Sequence, residues 1–149
     1  KELYENNVST LSLLFKTANS LSSDDVKLSE RLYLSGRRLR GFESGKVGPK
    51  DGNDFIGGNY VSSINATTTV PVFFQNVQNV DVVMFADAAN IWGVDYDSSL
   101  DTNNDIRSSL GLAVDWMTPI GPLNFSLAQP LSKNDSSCSR YNIFSRLAY

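Results

Sequence analysis

The sequence predicts an all-β protein, an antiparallel sheet of membrane-crossing strands that forms part of a β-barrel. Three observations carry that expectation. From Gly57 to Tyr149, short segments alternate apolar and polar residues, the two-residue period of a strand and not the 3.6-residue period of a helix. No apolar run approaches the ~20 residues that a membrane-spanning helix needs; this leaves strands open, since they cross with about 9–11 residues and face lipid with every second one. The connections are short at one end (Pro71 to Asn79, Thr118 to Gly121) and long and polar at the other (Leu21 to Gly57, Gly93 to Asp105, Leu131 to Arg140). Short turns on one side and long loops on the other characterise outer-membrane barrels.

Six strands are expected. In the first, within Val8 to Ser20, Leu11, Leu13 and Phe15 oppose Thr10, Ser12 and Lys16, while Val8 and Leu14 break the polar face. The second, Gly58 to Val70, sets Tyr60, Ile64, Ala66 and Val70 against Asn59, Ser63, Asn65 and Thr67. The third, Val80 to Trp92, is apolar on both faces apart from Asp81, Asp87 and Asn90. Asp87 sits mid-strand, where a carboxylate without a partner is costly, so it needs a cation or a wet cavity. The fourth is the clearest. Ile106, Ser108, Leu110, Leu112, Val114 and Trp116 alternate with Arg107, Ser109, Gly111, Ala113, Asp115 and Met117, so a period of two gathers both charges on one face. Thr118-Pro119-Ile120-Gly121 is a tight turn. Beyond it Leu123, Phe125 and Leu127 face away from Asn124, Ser126 and Ala128. The last strand, Tyr141 to Tyr149, sets Tyr141, Ile143, Ser145, Leu147 and Tyr149 against Asn142, Phe144, Arg146 and Ala148. Trp116, Tyr141 and Tyr149 fall at strand ends, where a membrane interface favours aromatics.

Barrels of this kind begin at eight strands, so the chain is expected to be the C-terminal part of a larger barrel. Lys1 is no natural start, and the strand ending on Tyr149 is expected to be the natural C-terminus.

Composition removes other classes. The 149 residues carry 13 basic and 16 acidic side chains, a net charge of -3, and no basic cluster exceeds Arg37-Arg38 and Arg40, so no nucleic-acid surface is expected. There is no histidine and one cysteine, Cys138, which removes the commonest general base, an internal disulfide and Cys-rich metal sites. No catalytic residue, metal site or cofactor is expected. Asp101 to Asp105 lacks the glycine and distal glutamate of a calcium loop. Arg107 and Asp115 are expected as lumen-wall charges, and Cys138 as a loop thiol.

The tetrapeptide Leu39-Arg40-Gly41-Phe42 lies in the long first loop, which continues with glycines through Lys50. Long irregular loops inside a compact domain usually carry function or are disordered.

These residues resemble the C-terminal barrel half of the BamA family, the outer-membrane assembly insertases with relatives in mitochondria and chloroplasts. The resemblance rests on Leu39-Arg40-Gly41-Phe42, Gly45, Gly48-Pro49, Gly57-Gly58-Asn59, Asp87-Ala88-Ala89-Asn90-Ile91-Trp92 and Ile106-Arg107-Ser108-Ser109-Leu110-Gly111. Trp116-Met117-Thr118-Pro119-Ile120-Gly121-Pro122-Leu123 and Ala128-Gln129-Pro130 complete it. It implies a sixteen-stranded barrel of the bacterial outer membrane, of which residues 1–149 supply the last six strands, without the upstream strands and periplasmic repeats. It implies a non-enzymatic factor that inserts unfolded client barrels into the lipid bilayer through a lateral seam, aided by accessory lipoproteins. It also implies that the Arg-Gly-Phe loop folds into the lumen and that its arginine, here Arg40, meets a wall carboxylate, here Asp87. Tyr141, Ile143, Leu147 and Tyr149 would form the terminal-strand assembly signal.

Two positions depart from the family pattern: Asn65 stands where a second acidic residue can occur, and Phe144 where glycine is common. A secretion pore for a partner protein, which shares the inward loop, and a soluble all-β binding module are the competing expectations.

Overall fold

The computed structural model describes residues 7–21, 25–70, 79–95, 97–101, 105–132 and 142–147. The strands are β1 (Ser9–Thr17), β2 (Lys50–Asp51), β3 (Asp54–Phe55), β4 (Tyr60–Thr69), β5 (Val80–Trp92), β6 (Arg107–Thr118), β7 (Gly121–Pro130) and β8 (Asn142–Leu147). Six of them form one antiparallel sheet in the order β1-β4-β5-β6-β7-β8, and β2 and β3 form a separate hairpin within the first loop. All six expected strands are present, and every pairing joins strands that are neighbours in the meander. The sheet is open, with β1 and β8 at its edges. Tyr141 and Tyr149 of the expected terminal signal lie outside the described residues; Ile143 pairs with Leu127 and Leu147 with Leu123.

The alternation read from the sequence separates the faces. Leu11, Leu13, Phe15, Ile64, Met84, Leu110, Leu112 and Leu127 are exposed on one side. Val61, Ser63, Asn65, Phe85, Asp87, Ala89, Ile91, Arg107, Ser109, Ala113, Ser126 and Ala128 are buried on the other. An outer face this apolar and this exposed is what lipid, not water, would cover. Its aromatics mark two levels. At the loop end Tyr60 stacks on Trp92 at 5.8 Å between ring centroids, with Phe15 6.4 Å from Trp92. At the turn end Trp116 pairs with Val80. Val80 and Trp92 stand twelve positions apart on β5. That is roughly 40 Å along a strand, or ~30 Å across a membrane at a tilt of about 40°, which brackets an apolar band about 25 Å tall.

The inner face is buried because the first loop lies on it. Leu34, Leu39, Phe42 and Val47 of the loop form one apolar cluster with Val61, Ala89 and Ile91 of the wall. This explains why β5 is apolar on both faces: one faces outward and the other is roofed by the loop. The loop closes later than expected. β4 begins at Tyr60, two residues after the expected Gly58; Asn59 donates to the Gly93 carbonyl at 2.9 Å, and Gly58 bridges back to Leu32 through two backbone hydrogen bonds of 2.9 and 3.1 Å. Gly57 holds φ +67°, and a Cβ there would stand 2.7 Å from the Leu32 carbonyl oxygen, whereas a Cβ on Gly58 would stand 2.6 Å from the Trp92 carbonyl oxygen of β5, so the first glycine serves the loop and the second the close approach to β5.

Candidate functional site

The site is assembled on one rung of the wall. Ser12 of β1 pairs with Asn65 of β4, Asn65 with Asp87 of β5, and Asp87 with Ser109 of β6, so their side chains project in a row from the inner face. Above them the loop descends as a turn through residues 36–41. Its glycine is needed here: Gly41 has φ +90°, and a Cβ would sit 3.0 Å from Ala128 Cβ, so the loop backbone rests on β7.

Of the residues singled out in the sequence, Arg40 and Asp87 are brought together. Nε donates to Oδ2 at 2.7 Å and Nη2 to Oδ1 at 2.8 Å, while the Arg40 backbone N–H donates to Oδ2 at 3.2 Å. This is a two-pronged guanidinium–carboxylate contact, the strong form of the interaction. The Asp87 side chain is fully buried and the Arg40 side chain 20% exposed. Leu39 and Phe42 flank the pair as buried apolar anchors. Burying side chains such as Leu39, Phe42 and Val47 stabilises by roughly 1.5–3 kcal/mol each at most, more than an ion pair usually nets after desolvation. Apolar packing therefore holds the loop down, and the ion pair fixes where it sits.

Three participants were not anticipated from the sequence. Phe85, on the same face two residues before Asp87, lies under the guanidinium, whose Cζ is 3.5 Å from the ring centroid, a cation–π contact. The ring fits only because its register partner is Gly111, where a Cβ would come 2.5 Å from Phe85 Cζ and 2.1 Å from the Leu127 carbonyl oxygen. Asn65 is no gap in the site. Its Nδ2 donates to Asp87 Oδ1 at 2.9 Å and to the Arg38 carbonyl at 2.7 Å. Arg38 Nη1 in turn donates to Ser12 Oγ at 2.9 Å, with Asn65 Oδ1 at 3.4 Å. The signals were spacing signals: Phe85 at i−2 from Asp87 on a strand, and Arg38 at i−2 from Arg40.

A second clasp ties the base of the loop to the β5–β6 connection. Asp95 accepts from the Val26 N–H at 2.7 Å and pairs with buried Arg31 at 3.1 Å. The Val26 N–H is the main reason the Asp95 carboxyl lies below the usual range; burial opposes it, and Asn59 and the Arg31 charge assist. Arg107 is buried on the wall, its Nη1 donating to the Asp105 carbonyl at 3.1 Å. Asp115 is exposed on the inner face and accepts from Asn124 Nδ2.

Comparison with known proteins bears on this arrangement. The family model of the Omp85 superfamily domain matches residues 3–144. The outer membrane protein assembly factor BamA of Neisseria meningitidis is 30% identical over 137 residues, covering 73% of this chain and 17% of that protein. BamA of Nitratidesulfovibrio vulgaris is 32% identical over 114 residues, covering 73% of this chain and 14% of that protein. A SAM50-like protein of Schizosaccharomyces pombe is 26% identical over 137 residues, covering 88% of this chain and 29% of that protein. The crystal structure of BamA from Haemophilus ducreyi lacking POTRA domains 1-3 superposes with a TM-score of 0.72 at 25% identity, covering 93% of this chain and 34% of that one. The chain thus spans under a fifth of the length of the two BamA relatives. Matched over nearly its whole length, the chain belongs to the Omp85 superfamily, and its similarity within it is to the BamA assembly factors.

Proposed function

We propose that the chain is the C-terminal barrel region of a bacterial outer-membrane protein assembly factor, which folds client β-barrels into the bilayer through a lateral seam. The observation that carries this reading is the loop docked on the wall by the Arg40–Asp87 pair, in a chain whose similar proteins are named as outer membrane protein assembly factors. In this reading upstream strands complete the barrel, periplasmic repeats receive the clients, and accessory lipoproteins assist. The work is non-enzymatic: it needs an edge strand and a bilayer, not a bond-breaking group.

The mechanism follows from the sheet. β8 exposes one row of unpaired backbone N–H and C=O groups in the described sheet. If few hydrogen bonds close the seam it forms with the barrel's first strand, an incoming client strand can pair there by β-augmentation. Opening a seam loosens the barrel, and the loop, seated across β4, β5 and β7, holds those strands in register meanwhile. Leu39, Gly41 and Phe42 seat the loop, Arg40 and Asp87 set its position, and Tyr141, Ile143, Leu147 and Tyr149 form the strand signal by which the barrel was itself assembled.

The test uses the full-length protein in lipid vesicles. A disulfide locking β8 to the strand it meets at the seam is expected to stop an unfolded client barrel from becoming protease-resistant, and reduction to restore it. Client folding at an unchanged rate with the seam locked would overturn the reading.

A further inference from the structure

Arg38 pairs with no carboxylate among the described residues, yet its guanidinium is not simply solvated. It is half-buried and reaches the Ser12 hydroxyl on β1 at 2.9 Å, with Asn65 Oδ1 of β4 3.4 Å away. Its own carbonyl takes a 2.7 Å hydrogen bond from Asn65 Nδ2, which also donates to Asp87 at 2.9 Å. Ser12, Asn65 and Asp87 are direct register partners on three adjacent strands.

We propose that Arg38 and Asn65 are a second pair of positioning residues, so that the loop is latched to one rung across β1, β4 and β5, with the Asn65 amide as the hub. The chemistry singles out an amide. Position 65 must donate to the Asp87 carboxylate and to a carbonyl, and also present an acceptor toward Arg38. Only a side chain with both an NH2 and a carbonyl oxygen does all three. Asn65 is 7% exposed, so no water readily replaces a bond it loses, and a buried polar group left without partners is costly. Position 65 therefore has a binding role although its side chain carries no charge. Arg40 alone would fix the loop to β5. With Arg38, docking also depends on β1 lying beside β4, so the loop registers the pairing of the strand from which it departs.

This rests on the docked loop of the proposed function, but its test reads position and not client insertion. Full-length protein carrying Cys138→Ser would bear spin labels at Ser44→Cys in the loop and Leu110→Cys on the outer wall, in lipid bilayers. One narrow distance is expected. Arg38→Ala, and Asn65→Leu, which keeps the volume and removes the hydrogen bonds, should each lose it in favour of a broad distribution. Ser12→Ala, which leaves loop and core untouched, should broaden it partly. Combining Ser12→Ala with Arg38→Ala should add nothing to Arg38→Ala alone, because both remove the same contact. Arg37→Ala, at the exposed neighbouring arginine, should leave the distance narrow. A narrow distance retained in both Arg38→Ala and Asn65→Leu would overturn the proposal, as would equal broadening by Arg37→Ala. Broadening by the latch variants with client folding unchanged would support the latch while removing the loop from the insertion mechanism.

Discussion

Replacing Arg40 by alanine is expected to cost more stability than replacing Asp87, although the two share one ion pair. The Asp87 carboxylate is fully buried and accepts four N–H donors, three from Arg40 and one from Asn65. Arg40→Ala removes two of those donors and the counter-charge. An uncompensated buried charge of this kind costs about 3–5 kcal/mol, and the lower end applies because the loop can lift and admit lumen water. Asp87→Ala is milder. The guanidinium it releases is already partly exposed and keeps its seat over Phe85, a contact worth about 0.5–2 kcal/mol, so a loss of roughly 1–2 kcal/mol is expected. The double variant should cost no more than Arg40→Ala alone, since it leaves no charge stranded, giving a coupling of at least about 1–2 kcal/mol. Arg40→Lys should restore part of the loss, because an ammonium keeps the charge but not the two-pronged contact or the flat face on Phe85. Equilibrium unfolding by urea of the membrane-inserted protein measures all four. Strictly additive losses, or a larger loss for Asp87→Ala, would refute the reasoning.

Lysine at Leu112 should cost roughly 2–4 kcal/mol if that face meets the bilayer midplane, whereas lysine at Asp115, exposed on the inner face, should be mild; insertion assays on the two variants decide, and equal sensitivity would reverse the face assignment. Ala113 is no suitable control, because it is buried beside Phe85 and Ala128. Gly111→Ala should destabilise by about 1–3 kcal/mol through overpacking, since the new methyl collides with Phe85 and the β7 backbone, and it should weaken loop docking; unchanged unfolding would show that Phe85 is not the platform for Arg40. Asp95 has a depressed carboxyl pKa, so its contribution to stability is fully present above the ordinary aspartate value of about 3.9 and is lost as pH falls through the lower, folded value. Proteolysis at the loop's base should therefore rise with acidification in the wild type more steeply than in Asp95→Asn, which lacks the contribution at every pH; parallel profiles would count against the clasp.

The strands were legible because lipid-facing and lumen-facing residues must alternate. Leu110 and Leu112 against Arg107 and Ala113 gave β6, and β5 matches the expected Val80 to Trp92. Arg40 and Asp87 were legible as residue types that need each other, together with the family resemblance. The rest was hidden for physical reasons. Asn65 looked like a lost charge because a sequence shows the absent carboxylate and not the two hydrogen bonds its amide donates. Arg38 has no role legible in the sequence, because its partner Ser12 lies on a strand 26 residues away. The onset of β4 lies two residues past the expected Gly58, because the glycines there answer to contacts that a sequence does not show: Leu32 for Gly57 and the Trp92 carbonyl of β5 for Gly58.

The central claim is that the loop docked at Asp87 sustains client insertion by an assembly factor. Its most direct test is the rate at which full-length protein in lipid vesicles converts an unfolded client barrel to the protease-resistant form, compared between wild type, Arg40→Ala and Arg40→Lys. The account predicts a marked loss for Arg40→Ala and partial recovery for Arg40→Lys, at equal amounts of inserted protein. Client folding by Arg40→Ala at the wild-type rate would contradict it.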